Sequence, residues 1–413
     1  MTVSYDPLDP AVLDDPYPAY DWLRDHDPVH HHPADHRAPA FWALSRFDDV
    51  WDAVRRPEVF SSASGLTFFA DEIGQLGIPP TIVMLDPPRQ PRLRALIGRG
   101  FTPKRVTALE DRIRGFVRAR LAEMAQRHAD GVAVDFHAEF ASTIPTYVLA
   151  ELFGVPESDR ALFAPWVQAL TRLQNDGFGS AALTGSKAPA GALQAMAEMM
   201  EYFSAEIAAR RRTERDDLLG ALVAAELEAP DGSTETLTDW DILGFCFVVV
   251  AGGSDTTASL ISHAVTLLDD APDQRRLLLE DPGLISSALL EFLRLESSVQ
   301  ALARTTLADV EVGGVTIPEG EKVMMLYAAA NRDPREFGED ADVLDVRREI
   351  PRHLSFSSGP HFCVGSHLAR LQARVALEEL LSAHPWVAVD PGAGQRHESP
   401  FVRGWVSLPL SRL

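Results

Sequence analysis

The sequence predicts a mainly α protein with small β-sheets. Three observations carry that expectation. Apolar residues recur at three- and four-residue spacings through several long stretches, short β-branched and aromatic runs punctuate them, and one mid-chain stretch is apolar almost all round. The 413 residues contain no Gly/Ser linker, low-complexity tract or internal repeat, so residues 1–413 are expected to form one large domain. With 46% hydrophobic and 24% charged residues the composition is that of an ordinary globular protein.

Taken in chain order, the N-terminus MTVSYDPLDPAVLDDPYPAY is acidic and proline-rich, unlike a signal peptide. No uninterrupted apolar run approaches the roughly 18 residues of a membrane span, so a cytoplasmic protein is expected. Residues 41–44 read as a strand, 106–125 and 192–209 as amphipathic helices. TDWD then offers Thr238 as a helix N-cap with Asp241 three residues on, a capping-box pattern. The run ILGFCFVVVAGGSDTTASLISHAVTLL that follows predicts a helix buried through the middle of the protein. Cys246 lies in it and reads as core packing. Residues 284–295 form another helix, and 310–317, 322–326 and the terminal WVSLPL supply strands.

Inside the central helix, AGGSDTT (residues 251–257) places two glycines and three poor helix formers where the core should be. Each glycine costs a helix about 1 kcal/mol relative to alanine. A kink or close helix crossing is one explanation. The other is that Gly252 and Gly253 open a space, while Asp255 and Thr256 bring a carboxylate and a hydroxyl that can deliver protons to it. Downstream, Glu291 and Arg294 share a helix face amid leucines, which suggests a buried ion pair.

The formal charge of -22 argues against nucleic acid as a general partner. Locally, Arg89, Arg92, Arg94, Arg99, Lys104, Arg105, Arg112 and Arg114 crowd one region, either a solvated face or a docking site for an acidic partner. The chain has two cysteines, too few for a disulfide framework. Cys363 stands in the loop FSSGPHFCVG, just before a helical stripe of Val364, Leu368, Leu371 and Val375. Its sulfur is therefore expected at a helix N-terminus, where free N–H groups favour thiolate. Either it joins His353, His361 and His367 in a zinc site, or it is the thiolate ligand of a haem iron. Zinc explains neither AGGSDTT nor the Glu/Arg pair, and haem explains both.

Together LDPPRQPRLR, AGGSDTT, EFLR, ANRDP, RHLSF and FSSGPHFCVG, in this order along the chain, resemble the cytochrome P450 family, specifically its soluble bacterial members. The resemblance implies the family fold, with a long central helix over a haem (heme b, iron-protoporphyrin IX). Cys363 would ligate the iron. Arg94, Arg304 and His361 would contact the propionates, with Gln90, Gly252, Phe356 and Gly365 completing the cofactor site. Asp255 and Thr256 would relay protons to dioxygen, and Glu291 with Arg294 would brace the cysteine-loop side.

Three departures stand out: Ser357 where glycine is common, Gln90 where a propionate-binding histidine is common, and Val343 where a polar partner of the Glu/Arg pair often lies. By family position Phe68, Phe69, Val249, Ala251, Ala301, Leu302, Phe401 and Val402 would line an apolar pocket for a hydrophobic small molecule, with Gln300 and Arg403 as polar anchors. The implied reaction is monooxygenation, by default C–H hydroxylation. No fused redox domain is visible, so electrons would come from a ferredoxin and an NAD(P)H-dependent ferredoxin reductase, and the basic stretch is a candidate docking face. A peroxide-driven peroxygenase of the same fold or a non-catalytic haem protein is the alternative, and the intact Asp255 and Thr256 argue against both.

Overall fold

A computed structural model describes residues 5–69, 81–175, 190–228 and 232–413. Its longest element is the helix Asp239–Asp270, which begins where the capping box predicts: Thr238 accepts from the Asp241 backbone, and the Asp241 carboxylate accepts from the Thr238 backbone. Most of this helix is buried, and it packs against helices Thr143–Leu152, Phe163–Asn175, Ala190–Arg212, Ile285–Leu295 and Ser366–Ala383. Apolar residues on nearly every face of its sequence are the cause. Although no unbroken apolar run is long enough for a membrane, this helix is: its best 18-residue window has a mean hydropathy of 1.4. Of that window, 67% is buried by the protein's own helices.

The stretch expected as one helix over 106–125 is divided. Thr102 caps a short helix, Pro103–Thr107, and the long helix starts only at Glu110, running to Ala129. Residues 285–295 and 190–212 are helical as the periodicity indicates.

Five strands form one sheet beside the helices. Their spatial order is Val29–His32, Phe41–Leu44, Lys322–Leu326, Ala301–Thr306 and Phe60–Ser61. Phe41–Leu44 runs parallel to Lys322–Leu326, the other pairs antiparallel. Gly313 and Gly314 close a hairpin of Val310–Val312 with Val315–Ile317, both glycines having positive φ as a tight turn requires. The C-terminal run is split in two: Trp405–Ser407 pairs with Gln395–Arg396, and Leu410–Arg412 with Ala388–Val389. The first of these hairpins lies against the central helix. A Cβ at Gly404 would fall 2.1 Å from Ser259 Oγ, so only glycine permits that approach.

Candidate active site

The cysteine loop is built by short backbone contacts. Gly359–His361 forms a single 3₁₀ turn, Phe362 N–H donates to Gly359 O, and Cys363 N–H donates to Phe356 O at 2.9 Å. Gly359 has φ of 66°, and a Cβ there would press on Arg55 Cα at 3.1 Å, so the loop needs glycine at this point. Ser357 adopts φ of 57° without being glycine, which accounts for the preference at that position.

Cys363 is half-buried and stands three residues before the helix Ser366–Ala383. Backbone N–H groups of Gly365 and Ser366 point at the sulfur, and Arg94 adds a favourable charge, yet burial outweighs them and pushes the thiol up. The helix terminus alone therefore does not make a thiolate; a bound metal ion is what would remove the proton. Among the described residues no group of three or more His, Cys, Asp or Glu side chains is arranged to hold a metal, so the zinc set is not assembled.

Beside this sulfur lie two arginines and a histidine, Arg94, Arg304 and His361. Arg94 donates to Pro360 O at 3.3 Å and Arg304 to Ala303 O at 2.7 Å. Neither is within ion-pair distance of a carboxylate among the described residues. Burial, then Arg304, holds His361 down at about 4, with Arg94 acting in the same direction and Asp86 against it; its ring meets Ser62 Oγ at 3.2 Å. A buried Arg304 and a half-buried Arg94 without carboxylate partners among the described residues call for an anionic ligand, beside which a neutral His361 can donate an N–H. A planar group with two carboxylates and a metal that takes sulfur matches these donors, so the residues present fit haem. Gln90 also braces the loop: its amide nitrogen donates to Pro360 O at 2.8 Å, while its buried Oε1 has no partner among the described residues.

On the central helix, Gly252 is exposed between a buried Ala251 and a half-buried Gly253, and a Cβ there would meet nothing within 4 Å. Gly252 thus borders open space, whereas a Cβ at Gly253 would touch Leu149 Cδ2 at 3.8 Å, so of the expected pair the first glycine opens the space. Thr256 Oγ1 donates to Gly252 O at 2.7 Å, where it stands at the rim of that space. Asp255 is not joined to Thr256. Its Oδ1 lies 3.2 Å from Nε2 of His397, on the C-terminal hairpin.

Glu291 and Arg294 are fully buried and bidentate, at 2.7 and 2.8 Å. Val343 is exposed. The polar partner is Arg348 instead, whose Nε donates to Glu291 Oε1 at 3.2 Å. From there the network reaches the cysteine loop: Arg294 donates to Asn331 O, Asn331 Oδ1 accepts from Leu354 N–H at 2.7 Å, and Asn331 Nδ2 donates to Ser355 Oγ at 2.9 Å. Asn331 and Ser355 lie in the ANRDP and RHLSF motifs but were given no role from sequence, and Arg348 was given none either.

The expected pocket residues divide. Phe68, Phe69, Ala301 and Phe401 are buried in one cluster under the sheet, Phe68 stacking on Phe41 with ring centroids 4.8 Å apart. Ala251 is also buried, whereas Val249, Leu302 and Val402 are partly exposed. Gln300 and Arg403 are engaged elsewhere. Gln300 Nε2 donates to Ser399 O at 3.2 Å, and Arg403 to Glu296 Oε2 at 3.0 Å and Asp14 O at 2.9 Å. The basic stretch is largely neutralised within the chain. Arg89 pairs with Asp241, Arg92 with Glu235, Arg105 with Asp216, Arg112 with Glu151, and Arg114 with Glu110, Glu378 and Glu379. Arg99 and Lys104 have no such partner among the described residues.

A family profile described as Cytochrome P450 matches residues 283–402. Cytochrome P450 130 of Mycobacterium tuberculosis is 44% identical over 96% of this chain and 94% of its own. A vitamin D(3) 25-hydroxylase of Pseudonocardia autotrophica is 36% identical over 99% and 97%. Among solved structures, cytochrome P450 CYP268A2 of Mycobacterium marinum in complex with pseudoionone superposes with a TM-score of 0.85 at 32% identity, covering 98% of this chain and 99% of that one.

Proposed function

The chain belongs to the cytochrome P450 family, in its bacterial branch, and is a haem-binding monooxygenase; from that premise we propose that residues 1–413 act as one catalytic domain hydroxylating a C–H bond of a hydrophobic small molecule. Haem supplies the oxygen-activating chemistry when bound. The residues of this chain do the rest. Cys363 ligates the iron, Arg94, Arg304 and His361 bind the propionates by charge-assisted hydrogen bonds, and Gln90 acts on the loop. Gly252 keeps the space beside the central helix open, Asp255 and Thr256 move protons into it, and the network of Glu291, Arg294 and Arg348 holds the loop that carries the cysteine.

The observation that carries this reading is the cluster of Arg94, Arg304 and His361, without carboxylate partners, beside a cysteine at a helix start. The partly exposed Val249, Leu302 and Val402 support an apolar substrate, as do the vitamin D(3) hydroxylase relative and the neighbour solved with pseudoionone. Electrons come from a separate ferredoxin and its NAD(P)H-dependent reductase in the cytoplasm. With so many arginines of the 89–114 stretch already paired, Arg99 and Lys104 are the groups of that stretch left for an acidic partner.

The test is the spectrum of the reduced, CO-treated protein combined with product analysis. The thiolate-type spectrum should be present. In Thr256→Ala that spectrum and substrate binding should persist while NAD(P)H electrons end in peroxide rather than product. Fully coupled turnover by Thr256→Ala would remove Thr256 from proton delivery.

A further inference from the structure

Asp255 is expected to serve the space bordered by Gly252, yet the structure gives its carboxylate a partner on the other side of the fold. His397 Nε2 lies 3.2 Å from Asp255 Oδ1, and both side chains are nearly closed to solvent, 4% and 10% exposed. The contact is built rather than incidental. His397 sits on the hairpin of Gln395–Arg396 and Trp405–Ser407, and its backbone N–H donates to Gly404 O at 3.2 Å. Gly404 lets that hairpin rest on Ser259, one helical turn beyond Asp255; a Cβ would lie 2.1 Å from Ser259 Oγ and 3.1 Å from His397 Cδ2.

We propose that His397 is a positioning residue for proton delivery: its Nε2–H fixes the orientation of the Asp255 carboxylate, so that Asp255 can supply the Thr256 side of the central helix. The proposal rests on the relay reading of Asp255 and Thr256. Other titratable groups packed here are accounted for. Burial holds His137 down at about 4, opposed by Asp255, so it stays neutral near pH 7; its Nδ1 meets Ser262 Oγ at 3.0 Å. Asp135 is occupied with the Leu408 and Ala138 backbone N–H groups. Among the described residues His397 is therefore the group whose ring nitrogen reaches the carboxylate. A hydrogen bond of this kind holds a catalytic carboxylate within the narrow geometry that proton transfer needs.

The test compares three variants of the holoenzyme with one turned-over substrate. His397→Leu fills the same volume without a donor and should keep haem content and substrate affinity while the peroxide share of consumed electrons rises several-fold. His397→Gln, which restores an N–H donor, should recover most of the coupling. Thr256→Ala is the comparator. If Thr256→Ala uncouples and His397→Leu does not, the role of His397 is overturned and the relay stands; if Thr256→Ala stays coupled, the relay fails and the proposal with it. Independently of turnover, the ¹⁵N signals of the His397 ring in the reduced, CO-treated protein should show a protonated Nε2, and Asp255→Ala should shift the ring toward a mixture of tautomers. An unchanged tautomer in Asp255→Ala would overturn the proposal as surely as unchanged coupling.

Discussion

Ser357 carries a side chain in backbone that favours glycine, with φ of 57°, and its buried hydroxyl has no hydrogen-bond partner among the described residues. The left-handed region costs a non-glycine residue about 1–2 kcal/mol, while glycine returns about 0.5–1 kcal/mol in unfolded-chain entropy. Ser357→Gly should therefore stabilise the protein by up to about 1 kcal/mol, read as a higher urea midpoint with no change in haem content. A lower midpoint would mean that the serine makes a contact worth more than the strain. The two cysteines differ in the same local terms. Cys246 is 1% exposed within the apolar cluster and burial pushes its thiol far up, so it is inert packing. Cys246→Ala should cost about 1–2 kcal/mol and leave the CO spectrum intact, whereas Cys363→Ala should abolish the thiolate-type spectrum and product formation. The surroundings of both cysteines, a buried apolar helix for Cys246 and a loop at a helix start for Cys363, were legible in sequence because each depends on immediate neighbours. The pairing of Asp255 with His397 was not, because 142 residues separate them and neither sequence environment names the other.

The helix Ile285–Leu295 shows the same division. Its i,i+3 charges announce the Glu291–Arg294 pair, but Arg348 reaches Glu291 from a coil segment 57 residues away, where sequence spacing carries no such signal. Glu291→Ala strands two arginines, one of them fully buried, at about 3–5 kcal/mol. Little haem-loaded protein should accumulate. Arg348→Met leaves the bidentate Arg294 pair intact and should be milder, about 1–3 kcal/mol; equal losses in the two variants would show that Arg348 is as essential as Arg294. On the central helix, Gly252→Val separates space from stability. The Cβ position is open within 4 Å, and glycine costs a helix interior about 1 kcal/mol. The unfolding midpoint should not fall, while haem loading or turnover should, because the added methyls enter the space beside the helix. A lower midpoint with undiminished turnover would make the glycine a packing device.

At the scale of the molecule, the sequence made the helices and local hairpins readable, since their periodicity and turn residues are contiguous. It did not reveal that the strand at 41–44 lies parallel to the one at 322–326, nor that the arginines of 89–114 are spent on distant carboxylates. Such pairings are set by tertiary packing, which also determines how stability depends on pH. Burial holds His137 at about 4 and His263 at about 3, the latter with an Nε2 that has no partner among the described residues. In the unfolded chain both titrate near 6.5. Above that pH neither state holds the extra proton and these histidines add no pH dependence. As the pH falls from about 6.5 toward 4 only the unfolded state takes up the protons, so stability declines by about 1.4 kcal/mol per pH unit for each histidine. Glu296 extends the decline. Burial pushes it up, but Arg403, His263 and Arg332 hold it at about 2, so its contribution is lost between about 4.5 and 2. Urea unfolding followed between pH 8 and 4.5 should give a midpoint free of histidine-linked loss above pH 6.5 that drops below it. His137→Gln, which keeps a polar partner for Ser262 but cannot take up the proton, should shallow that drop by about one proton's worth. An unaltered slope in this variant would show that His137 is protonated as readily in the folded protein as in the unfolded chain.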